Sequence, residues 1–120
     1  MAEEQVARRL IESGWSILAR QLRVGRGEID ILATDPGPPG RLVVVEVRWR
    51  SGRAFGQVEE TFDWRKRAQL VRACHRLLAA RLPDGRRLPR LPIAVDLVMV
   101  EPNRGGPGIQ VRHHRDVLAA

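Results

Sequence analysis

The chain is poor in the residues that most often carry covalent or redox chemistry. It has one cysteine, Cys74, and no tyrosine. A single cysteine excludes an internal disulfide and any multi-cysteine zinc site, and it fits a reducing compartment. Cys74 falls within an apolar helical pattern, which marks it as a packing residue rather than a thiol nucleophile. Aromatic residues make up only 4% of the chain, too few for an extended platform on which single-stranded bases stack. No apolar run approaches the roughly 20 residues of a membrane span, and the acidic start Met1-Ala2-Glu3-Glu4 does not read as a signal peptide. A soluble cytoplasmic protein is expected, with no membrane partner. Lysine is nearly absent as well: Lys66 is the only one.

What is present is a chain of 120 residues, 43% of them hydrophobic, with a net charge of +7. That length suits one globular domain over 1–120. The positive charge is carried almost wholly by arginine. It favours a polyanionic partner, nucleic acid first among them, ahead of the alternative, a composition merely biased towards arginine.

Val6 and Leu10 give residues 3–13 a helical apolar stripe, with Glu3 and Glu4 at the positive end of the helix dipole and Gly14 as the stop. Trp15 to Val24 reads as a strand, Gly25-Arg26-Gly27 as a turn, and Glu28 to Thr34 as a second strand. The proline-dense stretch Asp35 to Gly40 is a loop. Arg41 to Arg50 is a third strand, and its run Leu42–Val45, apolar on both faces, belongs at the centre of a sheet. A loop over Ser51 to Glu60 leads to a long helix, capped by Thr61 or Asp63 and running to about Leu82. Arg86 to Pro92 is a linker. Ile93 to Val100 is a fourth strand and Ile109 to Arg112 a short fifth, followed by a frayed tail or a short helical turn. The order predicts an α/β fold with a mixed sheet of four to five strands flanked by helices.

The second and third strands carry carboxylates that a packed core should reject. Burying an unpaired carboxylate costs several kcal/mol. Side chains alternate along a strand, so Glu28 and Asp30 share one face, and Glu46, Arg48 and Arg50 share another. If the two strands form a hairpin, two or three carboxylates meet beside an arginine at the end of the sheet. Such an oxygen-rich site suits Mg²⁺ or Mn²⁺. A cation there polarises a phosphodiester and lowers the pKa of a bound water. The alternative is ordinary ion pairing, Glu46 with Arg48 and Asp30 with Arg50.

Gly27-Glu28-Ile29-Asp30, the strand ending Val45-Glu46-Val47-Arg48-Trp49-Arg50, and then Phe55-Gly56 resemble the YraN-type family of small bacterial proteins. That family is similar to the PD-(D/E)XK nucleases, and to archaeal Holliday-junction resolvases in particular. The resemblance covers a core of about residues 3–101 and leaves a C-terminal hairpin and tail over 102–120. It implies a restriction-endonuclease-like three-layer fold and an endonuclease-type site acting on DNA rather than RNA, structured or branched DNA included. Asp30 matches the first metal-binding acid and Glu46 the second, with the Val47 carbonyl as a further ligand and Glu28 as a supporting acid. Arg48 stands where the superfamily carries lysine; arginine stays protonated and cannot act as a base. Resolvase-like relatives add an acid from the first helix, for which Glu3 and Glu4 both fit, and they are dimers, so a homodimer is implied. A catalytically silent DNA- or RNA-binding module, or a protein-interaction module, on the same fold is the competing reading.

Lys66, in the first turn of the long helix, is the candidate to replace the missing motif lysine; a snorkelling side chain is the alternative. Arg26, Arg50, Arg65, Arg72 and Arg76 are candidate phosphate contacts. Asp96 interrupts an apolar strand, as a supporting acid or as a cap for backbone groups. His75 reads as structural, and His113-His114 as part of a solvated tail.

Overall fold

An acidic first turn ahead of an apolar stripe builds helix α1, Ala2–Glu12, which buries Val6, Ala7 and Leu10. The helix ends where Gly14 takes a φ of 92°, a left-handed backbone that glycine alone adopts without strain. Strands β1 (Ser16–Val24), β2 (Gly27–Asp35) and β3 (Arg41–Trp49) follow, then helix α2 (Trp64–Leu77) and strands β4 (Ile93–Pro102) and β5 (Ile109–His114). This computed structural model describes residues 2–25, 27–49, 64–77 and 81–118. The expected loop over Ser51 to Glu60, the caps Thr61 and Asp63, and the candidates Arg26 and Arg50 lie outside the described residues, as do the side chains of Arg65 and Lys66.

The five strands form one sheet in the order β1-β2-β3-β4-β5. All neighbours are antiparallel except β3 and β4, which are parallel. Parallel neighbours need a long crossover, and α2 lies within it. Strand β3 is central, as its apolar run requires, with Leu42 to Val45 no more than 1% exposed.

Alternation along the strands gives the sheet two apolar faces. Val43 and Val45 pack with Val6, Leu10 and Trp15 on the α1 side. Leu42 and Val44 pack with Leu97 and Ala73 on the α2 side. The result is three layers, helix on sheet on helix. No described helix is long and apolar enough to cross a membrane.

Three expectations need correction. The long helix does not reach Leu82: Arg81 already bridges to Arg87, because the turn around Pro83-Asp84-Gly85 folds the chain back. The segment that follows is more than a linker, since Leu82 is buried and Leu88 and Leu91 pack against the α2-side core. Of the two expectations for the tail, fraying does not hold as far as residue 118, where the chain ends its described part in a turn. Strand β5 runs on to His114, the Val117 N–H donates to the Val95 carbonyl at 2.8 Å, and Val117 and Leu118 cover the α2-side core.

Cys74 packs against that same core, and burial pushes its thiol up to about 11. The thiolate is the nucleophile, so Cys74 should react with iodoacetamide at pH 8 about 100-fold more slowly than an unhindered cysteine with a pKa near 9. Mass spectrometry of timed samples measures this, and alkylation at the rate of a small thiol would contradict the packing described.

Candidate functional site

The ladder between β2 and β3 runs from Asp35↔Arg41 to Ile31↔Val45 and stops there. One step further, Asp30 Oδ2 accepts the Val47 N–H at 2.8 Å. A side-chain carboxylate thus takes the place of a backbone carbonyl at the point where the strands part. In an extended strand the N–H and C=O of one residue point the same way, so the Val47 carbonyl is also turned towards the Asp30 side.

A local irregularity sets Asp30 in this position. Ile29 and Leu32 both belong to the α2-side core, whereas Ile31 and Ala33 belong to the α1 side. Strict alternation is therefore broken across Asp30. On β1, the residue between Arg20↔Ile31 and Leu22↔Ile29 is Gln21, whose φ is 50°. A non-glycine residue in that region costs on the order of 1–3 kcal/mol and marks a place held by its surroundings. Both strands are irregular at the same level. Nothing in the composition of β1 signalled Gln21, which sequence reasoning missed.

Glu3 reaches this junction from α1. Its carboxyl is raised above the usual range, first by burial and then by the negative charge of Asp30; Glu28 adds to the rise, while Arg20 and a hydrogen bond from Gln21 oppose it. Glu3 Oε1 is buried without a hydrogen-bond partner among the described residues. Glu4 is exposed. Of the two acids that the sequence left open, Glu3 has a carboxyl that feels the charges of Asp30 and Glu28.

Glu46 is buried, with 6% of its surface exposed. It lies in register with Leu97, and alternation from Val44 places it on the α2 side of β3. The Arg48 Nε is 3.8 Å from its Oε1, so the expected ion pair within β3 is present. Asp30 is bonded to the peptide that follows Glu46.

Among the described residues, the acids and the carbonyl at the junction offer only oxygen, which fits Mg²⁺ or Mn²⁺ rather than a softer metal. Among the described residues no three acids, histidines or cysteines are gathered closely enough to enclose an ion. Mg²⁺ does not need such a cage; one or two carboxylates with retained waters suffice. The unpartnered Glu3 oxygen beside Asp30 is consistent with that use.

Asp96 is employed elsewhere. It is fully buried. Its Oδ2 lies 2.8 Å from His113 Nε2 and 3.4 Å from Arg41 Nη2, and its Oδ1 accepts the Asp116 N–H at 2.9 Å. Burial acts to raise its carboxyl, but the His113 and Asp116 hydrogen bonds and the Arg41 charge outweigh it, and the net direction is downward. Arg41 also donates to Asp35 at 3.0 Å. Arg115 lies 3.6 Å from Asp35 and stacks over Trp15 at 5.8 Å. His113 is therefore no part of a solvated tail: it is bonded to a buried acid and packs 5.6 Å from Trp15. Arg72 and Arg76 line a cleft of about 400 Å³ between α2 and the β1–β2 turn, with Val24, Gly27, Gln69 and Ala73.

The model of the uncharacterised protein family UPF0102 matches residues 2–100. A UPF0102 protein of Desulforamulus reducens is 33% identical over 116 residues, covering 97% of this chain and 90% of the relative. One from Symbiobacterium thermophilum is 40% identical over 104 residues, covering 87% and 81%. Among solved structures, Pyrococcus furiosus SfsA in complex with Ca²⁺ matches at a TM-score of 0.37 and 12% identity, covering 94% of this chain and 62% of that one. A likeness that distant carries no functional weight.

Proposed function

The chain belongs to the uncharacterised protein family UPF0102, and on that footing we propose that its β2–β3 fork is a nuclease-like site that hydrolyses phosphodiester bonds of DNA, branched or otherwise structured, with a divalent cation. The observation that carries this reading is the broken ladder, where the Asp30 carboxylate holds the Val47 N–H at 2.8 Å with Glu46 buried one residue away. Asp30, Glu46 and the Val47 carbonyl are the groups that would hold Mg²⁺ or Mn²⁺, with Glu3 as a supporting acid. Such a cation, when bound, supplies phosphoryl polarisation and a water of lowered pKa. Arg48 steadies negative charge on the phosphate and does not take a proton. Lys66 is the proposed positioning group for the attacking water. The test is to incubate the protein with branched and linear duplexes in Mg²⁺ and in Mn²⁺. Metal-dependent cleavage of the branched substrate supports the reading; absence of cleavage with both metals contradicts it.

One observation favours a second reading, a binding module without catalysis. Arg48 is already paired with Glu46 at 3.8 Å, and it cannot replace a lysine as a base. That reading expects salt-sensitive DNA binding with no product.

Glu3 yields a separable prediction. Its carboxyl is raised in the fold, so its ionised form weakens the metal-free protein, fully so above the raised value and not at all below the ordinary value of 4.5. Glu3→Gln is expected to stabilise the metal-free protein at pH 7 by on the order of 0.5 kcal/mol after solvent screening. The gain should vanish in acid, and Mn²⁺ should stabilise the variant less than it stabilises the wild type. Urea titrations with and without Mn²⁺ measure both; a variant that is destabilised at pH 7 would contradict the placement of Glu3 against Asp30.

A further inference from the structure

The cleft between α2 and the β1–β2 turn has a floor of Val24 and Ala73, while Gln69, Arg72 and Arg76 supply its polar lining, all from α2. Their spacing of three and four residues puts these three on one helix face. Among the described residues no carboxylate lines the cleft, and neither arginine has an acidic partner. In a chain with 14 acidic residues, two guanidiniums without an acidic partner among the described residues, at the mouth of one cleft, are a concentration of positive charge open to an anion. The Arg76 guanidinium lies over Gly25, where any Cβ would collide with it, and Gly25 has a φ of 62°. The turn is thus shaped to let that side chain lie across it.

From these observations we infer that the cleft is a phosphate-binding groove, and that its ligand is a phosphodiester of the nucleic-acid strand engaged at the β2–β3 fork. The inference rests on the nucleic-acid reading above and adds the path of the strand. Guanidinium forks match phosphate oxygens two bonds at a time. Gly27 at the cleft is three residues from Asp30, about 10 Å along an extended strand. A phosphate held by Arg72 and Arg76 therefore belongs to a neighbour of the phosphate at the fork. Glu46 and Arg48 share the α2 side of the sheet with the cleft, so the strand passes from one to the other without crossing a layer. Phosphate recognition of this kind positions the strand without reading its sequence.

The test compares the wild type, the pair Arg72→Ala with Arg76→Ala, and a control pair, Arg90→Ala with Arg104→Ala, which removes the same charge from exposed positions. Binding of a fluorescein-labelled duplex is followed by anisotropy across a salt series. The cleft pair should weaken binding about 10- to 100-fold at low salt and flatten the slope of log K against log salt by about 2, one unit for each phosphate no longer neutralised. The control pair should change binding less than about 3-fold. Equal effects of the two pairs would show that only net charge matters, and would overturn the groove while leaving the nucleic-acid reading intact. Failure of the wild type to bind DNA at low salt would overturn both. Inorganic phosphate is the second arm: if it binds the wild type but not the cleft pair while DNA binding is the same in both, the site is one for free phosphate and the inference fails.

Discussion

Asp30→Asn should reduce metal-dependent cleavage by about 10²–10³-fold, the scale seen when a group that stabilises transition-state charge is removed, while leaving the fold intact. The asparagine carbonyl oxygen can still accept the Val47 N–H that Asp30 Oδ2 accepts at 2.8 Å. Only the charge is lost, so thermal stability should change by less than about 1 kcal/mol. Asp30→Ala removes both charge and acceptor, and should lose cleavage together with some stability. Glu46→Gln should match Asp30→Asn in cleavage, but it also strips Arg48 of the carboxylate 3.8 Å away. The two isosteric variants thus separate metal holding from structural support. Full cleavage by Asp30→Asn would remove Asp30 from the site.

Asp96→Asn should be strongly destabilising, costing about 3–5 kcal/mol. Asp96 is fully buried and answers three donors, His113, Arg41 and the Asp116 N–H. Its amide analogue offers one acceptor oxygen and turns an N–H₂ group towards the other donors, while Arg41 keeps only the Asp35 carboxylate at 3.0 Å. Against a typical total stability of about 5–15 kcal/mol, the loss corresponds to a fall in Tm of roughly 10–20 °C. The pH dependence has a definite sign. The Asp96 carboxyl is lowered below its ordinary value of 3.8, so its contribution is complete above that value and drains away as pH falls through the depressed one. The gap between wild type and variant should be full at pH 7 and narrow in strong acid. Thermal melts at several pH values measure this, and a variant melting with the wild type at pH 7 would contradict the buried network.

The difference between these two acids was only partly legible in the chain. Both interrupt apolar strands, and composition alone treats them alike. Asp30 was traceable because it stands beside a turn and opposite another acid-bearing strand. The use of Asp96 depends on Arg41, His113 and Asp116, which lie far from it in sequence and reach it only through the parallel pairing of β3 with β4 and the return of β5. For the same reason the tail looked unanchored: Val117 and Leu118 are too short a run to show periodicity. Glu3 was recoverable in principle. It lies three residues before Val6 and seven before Leu10, on the buried stripe of α1, whereas Glu4 does not. The centre of the sheet was plain because Leu42–Val45 is apolar on both faces. The irregularity at Gln21 was not, since a positive φ at glutamine is imposed by neighbours rather than by its own preference.

The most direct measurement is a titration of the metal-free protein with Mn²⁺, followed by loss of the free-ion electron paramagnetic resonance signal, on the wild type, Asp30→Asn and Glu46→Gln. One Mn²⁺ should bind per chain in the wild type, with affinity falling at least about 10-fold in each variant and rising with pH as Glu3 gives up its proton. Mn²⁺ binding of equal strength in all three proteins, or none in the wild type at millimolar ion, would contradict a cation site at the Asp30–Glu46 fork.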